Sequence, residues 1–204
     1  MPLGASAVVL NVTVTGTTAG SYLTAYPAQA PRPNASNLNW SPGQTVANRV
    51  IVGTGAGGQI SLFNFFGAAD VVVDLGGVFT ASPGAGQFTG LSPTRILDTR
   101  TGLGGSATLG PQQTIDLQVA GGGGVPPGAT AVVLNLTATN PDTASYVTAF
   151  PSGSARPVAS DLNFGPGLTV PNLVVVQLGA GGRLSLYNLA GHVDLVADVA
   201  GYYI

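Results

Sequence analysis

Apolar residues along this chain come in short β-branched runs, each closed by Gly or Pro. Ser6–Thr15 is rich in Val, Leu and Thr, residue types that fit a pleated surface. Tyr22–Tyr26 stops at Pro27, and Asn37–Trp40 stops at Pro42-Gly43. Val46–Val52 and Gln59–Asn64 flank the Gly55–Gly58 run, which predicts a β-hairpin. Asp70–Phe79 is the next strand-like run. No stripe of period 3.6 with capping residues is present, so almost no helix is expected. Turn signals at roughly 8–12-residue spacing predict an all-β sandwich or barrel.

The runs then recur. Residues 4–80 align with residues 128–204 without a gap at a constant offset of 124, and about half of the aligned positions are identical. Ser21-Tyr22 matches Ser145-Tyr146, Ser36-Asn37-Leu38-Asn39-Trp40 matches Ser160-Asp161-Leu162-Asn163-Phe164, and Asp70–Asp74 matches Asp194–Asp198. Residues 81–127 occur once. They open with Ala81-Ser82-Pro83-Gly84-Ala85-Gly86, which reads as a linker. Strand-like runs at Arg95–Thr99 and Thr114–Val119 follow, and then a long turn through Gly121–Gly124 and Pro126-Pro127. About six strands are expected in the first repeat and eight in the second. The expected fold is therefore all-β: two tandem β-sandwich, jelly-roll-like modules from an internal duplication. The first spans residues 1–80 and lacks its front strands. A Gly/Pro linker spans 81–92, and the second, complete module spans 93–204.

Pro93-Thr94-Arg95-Ile96-Leu97-Asp98-Thr99-Arg100, Ser160-Asp161-Leu162-Asn163-Phe164, Thr169-Val170-Pro171-Asn172 and Asp198-Val199-Ala200-Gly201-Tyr202-Tyr203 together resemble a repeat module. It recurs in secreted, often multi-domain, proteins of actinobacteria and other soil bacteria, frequently beside peptidases or glycoside hydrolases. The resemblance covers residues 93–204 as a whole module and residues 4–80 as a module without its Leu-Asp-Thr-Arg front. It implies an extracellular or cell-surface, repetitive, accessory protein, and brings no established activity with it. No signal-peptide pattern is present at Met1-Pro-Leu-Gly-Ala-Ser6, so a mature or cropped chain is expected.

Composition narrows the function classes. Of 204 residues, 31 are Gly and 15 Pro, yet 45% are hydrophobic, which favours a folded chain with many turns over a disordered one. All six basic residues are Arg and all eight acidic ones Asp, for a net charge of −2. That leaves no electrostatic footprint for nucleic acid or for an anionic membrane surface. No apolar run reaches the ~18 residues of a membrane helix, so no membrane insertion is expected. The absence of Cys excludes disulfides and thiolate metal sites.

Candidate chemistry is sparse. Asp70 and Asp74, like Asp194 and Asp198, lie four apart on a strand, so each pair shares a face. Asp70 or Asp194, with Asn64 or Asn188, are candidate Ca²⁺ ligands. Carboxylates four residues apart on one strand are ~13 Å apart, too far for one ion or for a glycosidase pair. Hydrogen bonding, or pairing with Arg95 and Arg100, is the preferred role, and no cofactor is expected. His192 is the only His. Ser185 and Asp194 lie near it in sequence, but Ala68 replaces it in the first repeat, so it reads as an exposed turn residue. The Gly runs lack the Lys and the following helix of a phosphate loop. Tyr22, Tyr26, Trp40 and Tyr146 are weighed as a sugar-stacking platform against a role in the sandwich core. The Asn residues shared by the repeats are expected to satisfy turns through side-chain to backbone bonds.

The expected function is non-catalytic: an extracellular structural or adhesive protein that self-associates into a fibre, sheath or surface layer by strand exchange. Few charges and Lys-free strand edges favour association. The alternative is a carbohydrate- or cell-wall-binding accessory module of a secreted hydrolase.

Overall fold

The structure, a computed structural model, describes residues 4–34, 36–80, 86–105 and 107–204. The chain divides into two compact units, Met1–Ala85 and Gly86–Ile204. Both are all-β. Among the described residues, helical turns are limited to two three-residue 3₁₀ turns, Ala56–Gly58 and Ala180–Gly182. Among the described residues no helix is long and apolar enough to cross a membrane.

The first unit contains β1 (Ala5–Thr15), β2 (Ser21–Pro27), β3 (Leu38–Trp40), β4 (Val46–Gly53), β5 (Ile60–Asn64) and β6 (Asp70–Thr80). They form two three-stranded sheets, ordered β4-β1-β6 and β3-β2-β5. The second unit contains β7 (Phe88–Asp98), β8 (Thr114–Gln118), β9 (Ala131–Thr139), β10 (Ser145–Pro151), β11 (Leu162–Phe164), β12 (Val170–Gln177), β13 (Arg183–Asn188) and β14 (Asp194–Tyr203). These form two four-stranded antiparallel sheets, ordered β12-β9-β14-β7 and β11-β10-β13-β8. Eight strands shared in this order between two sheets make a jelly roll. At the sequence offset, β1 to β6 correspond to β9 to β14. Strands β7 and β8 are the additional edge strands of the second unit, one on each sheet.

Two expectations are corrected. Val46–Val52 and Gln59–Asn64 do not form a hairpin: β4 pairs with β1, and β5 pairs with β2 in the other sheet. The Gly55–Gly58 turn carries the chain from one sheet to the other, as jelly-roll connectivity requires. Gly55 is needed there because a Cβ would overlap the backbone of Ala28, and Gly179 meets Ser152 in the same way. The expected linker over 81–92 is also too long. Residues 81–85 lie outside the described residues, but β7 already begins at Phe88, pairing with Tyr203, and continues to Asp98 opposite Val196. Gly201 admits this contact, since a Cβ would strike the Phe88 ring.

The core of the second unit is a Leu/Val layer between the sheets. It includes Leu97 of β7 and Leu117 of β8, which pack with Leu134, Leu136, Leu184, Leu186 and Leu195. The core of the first unit is smaller: Val8, Leu10, Val12, Leu23, Leu38, Trp40, Val50 and Val52 are its main members. Burial of such side chains is the main stabilising term, each contributing about 1.5–3 kcal/mol.

Candidate functional site

The most distinctive surface of the molecule follows from the strand count. In the second unit, β7 lies along β14 and β8 along β13. In the first unit, the corresponding edges of β6 and β5 carry no strand among the described residues. The apolar residues there stay in view of solvent. Val71, Val73 and Leu75 on β6 are 38–54% exposed and Leu62 on β5 is 39% exposed. Their counterparts Leu195, Ala197, Val199 and Leu186 are fully buried. The same strand sequence is thus covered in one unit and open in the other. Unpaired strand edges leave backbone groups open to pairing with a further strand.

The carboxylates follow the same division. Asp194 accepts hydrogen bonds from Thr99 and Thr108 at 2.9 and 2.7 Å and from the Asn140 amide at 3.0 Å. Burial pushes its pKa up, but these three bonds together outweigh that and hold the carboxyl below its ordinary range. Asp198 accepts a bidentate pair from Arg95 at 2.9 and 3.2 Å. Arg100 does not join them. It pairs bidentately with Asp98 at 2.8 and 2.7 Å, and the hydrogen-bonded Arg100 guanidinium lowers the Asp98 pKa to about 2. Asp70 stands where Asp194 stands, but it is exposed, and Gly16 replaces the Asn140 donor. Among the described residues no group of three or more His or Asp side chains could hold a metal ion.

Ser185, His192 and Asp194 belong to three separate networks. Ser185 donates to Asp116 at 2.5 Å and shares a bond with Ser152. His192 is exposed on its loop, where Asp142 accepts from its backbone N–H and contacts its Nδ1 at 2.9 Å. Those two His192 contacts, the backbone one first, hold the Asp142 carboxyl below its usual range. In the first unit Thr18 makes the matching contact to the backbone N–H of Ala68. The residue at position 192 therefore serves as a loop tie.

The aromatic candidates separate into two groups. Trp40 turns inward: it is buried in the first core, and its indole N–H donates to the Ala19 carbonyl at 3.1 Å. It offers no ring to a sugar, so its role is core packing. Tyr22 is partly buried, tilted against Phe63, with Arg32 over the Phe63 ring at 4.0 Å. Tyr146, Tyr187 and Arg156 repeat that arrangement. Tyr26 is partly buried on β2. The feature missed from sequence is Phe65, which stacks on Tyr22 at 5.0 Å and is 60% exposed beside the equally exposed Phe66. Leu189 and Ala190 replace these two in the second unit, and that difference between the repeats was the available signal.

Two of the shared Asn pairs bond backbone carbonyls as expected, while Asn39 and Asn163 donate instead to the Ser36 and Ser160 hydroxyls. Asn48 and Asn172 donate to the carbonyls of residues 37 and 161, and Asn64 and Asn188 to those of Gly67 and Gly191. No protein-family model matches the chain, and a search of curated proteins finds no match.

Proposed function

We propose that this chain is a non-catalytic structural or adhesive protein of the cell exterior. It joins polypeptide chains of its own module type through the open side of its first unit. The observation that carries the reading is the contrast between the exposed β6 and β5 edges and their covered equivalents β14 and β13. No Lys exists anywhere in the sequence to guard the edge. The extracellular assignment rests on the motif resemblance. Sedimentation and electron microscopy over a concentration series test the association. Assembly that grows with concentration, persists at high salt and is weakened by Leu62→Arg is expected. A chain that stays monomeric throughout overturns it.

The exposed Tyr22–Phe65 stack favours a second reading, a polysaccharide-binding face on the first unit. Rings presented in this way stack on sugars through their faces. Polysaccharide pull-down separates the readings, with saturable binding lost in Tyr22→Ala and Phe65→Ala expected for the sugar face.

A further inference from the structure

We propose that the open side of the first unit is a docking site for one kind of occupant: a two-strand polypeptide segment with the pattern of β7 and β8. This deepens the proposed function and rests on that reading for its biological sense. The occupant is identified by what the second unit places on the equivalent edges. There Leu97 lies opposite Ala197, Arg95 opposite Asp198 and Phe88 opposite Tyr203. On the other sheet Leu117 lies opposite Leu184, Asp116 opposite Ser185 and Ile115 opposite Leu186. Moved by the repeat offset, these partners become Val73, Asp74 and Phe79 on β6, and Ile60, Ser61 and Leu62 on β5.

The acceptor chemistry is kept. Asp70, Asp74, Ser61, Leu62 and Asn64 are the same residue types as Asp194, Asp198, Ser185, Leu186 and Asn188. A β7-type strand brings a Leu to cover Val71, Val73 and Leu75. The Thr99 and Thr108 hydroxyls, which bond Asp194 in the second unit, would find the exposed carboxylate of Asp70. A β8-type strand brings an Asp that accepts from the Ser61 hydroxyl, as Asp116 does from Ser185. Main-chain pairing supplies affinity and these side chains supply register, the logic of strand addition.

Two other occupants fit less well. The chain holds one β7–β8 segment for two bodies. Exchange between identical copies empties one edge for each edge it fills. Direct β6-to-β6 pairing of two copies, in the register that matches Val71–Val73 with itself, sets Asp70 across from Asp74, and like charges directly opposite are destabilising. Contact between identical copies is therefore the weaker use of this side, and a matching segment displaces it.

The test extends the full chain with a second copy of residues 86–127 joined ahead of Gly4, where the repeat offset places it. Amide exchange at Val71–Leu75 and Leu62 is compared with the unextended chain. Protection rising by roughly 100-fold, together with loss of self-association, is expected. An added copy carrying L97D and L117D should give neither effect. Unchanged exchange in the extended chain overturns the docking site. Assembly that continues undiminished in the extended chain also overturns it, while leaving the assembly reading in place on another surface. A monomeric unextended chain whose extension still protects β6 and β5 removes the assembly reading and keeps the site.

Discussion

Leu62 and Leu186 occupy the same place in the same Ser-Leu pair of equivalent strands, so their truncation measures the open side directly. Leu186 is fully buried between the sheets of the second unit. Leu186→Ala loses the transfer free energy of its side-chain carbons and leaves a cavity, a cost of about 3 kcal/mol within the usual range. Leu62→Ala removes the same atoms, at about 0.8 kcal/mol each. However, 39% of that side chain already faces water, so about 1.5 kcal/mol of transfer remains, and water fills the space without a cavity term. Calorimetry of the full chain reads both units. Trp40 is the only Trp and lies in the first core, so its fluorescence assigns one transition to the first unit. At dilution where scattering shows monomers, Leu62→Ala should lower the first transition by about 6–12 °C, and Leu186→Ala should cost the second unit about twice the free energy, a shift of about 10–20 °C. Equal costs would refute the reasoning, because they would mean that Leu62 is covered within a single chain.

Gly55→Ala and Gly179→Ala each drive a methyl group into the backbone of Ala28 or Ser152, which follow β2 and β10. Each should unfold its own unit, seen as a Trp40 red shift for Gly55→Ala alone. The Asp98 pKa, about 2 against 3.8 unfolded, stabilises the second unit fully above about pH 4 and is lost as pH falls through about 2. The stability gap between the native chain and Asp98→Asn, read by denaturant titration, should therefore be flat above pH 4 and close towards pH 2. Trp40→Phe copies the Phe164 of the second unit. It should lower first-unit stability by about 1–2 kcal/mol, through a smaller ring and the lost bond to Ala19, measured by calorimetry.

Much of the strand content could be read directly from the sequence, because Val/Leu/Thr runs bounded by Gly and Pro have few other solutions. The number of strands and the missing front of the first module followed from the repeat. Pairing did not. Val46–Val52 and Gln59–Asn64 look like hairpin arms, but adjacency in sequence says nothing about sheet membership when consecutive strands alternate between layers. The start of β7 was hidden because the Gly/Pro-rich stretch opening at Ala81 reads as a linker, while the pairing of β7 comes from β14, over a hundred residues away. The Asp pairs were correctly placed on strands, but their fates depended on that same strand. Thr99 and Arg95 reach Asp194 and Asp198 only because β7 lies beside them. Trp40 and Phe65 show the remaining limit, since neither burial nor exposure of a ring is fixed by its type.

The chain therefore gives an internal control for what edge strands do. The two units share about half of their aligned residues and differ in whether β7 and β8 equivalents are present among the described residues, and the contrast in burial along β6 and β5 traces to that difference. Where the strands lie in place, the acidic and hydroxyl groups are consumed in structural bonds, Asp194 with three donors and Ser185 with Asp116. Where they do not, Asp70 and Leu62 face outward with the same residue types and no covering strand. The proposed strand addition accounts for this, because a docking edge has to keep the hydrogen-bonding and apolar pattern of the interior it completes. On that proposal, Asp70, Ser61 and Leu62 are the exposed half of a core that a further strand pair completes.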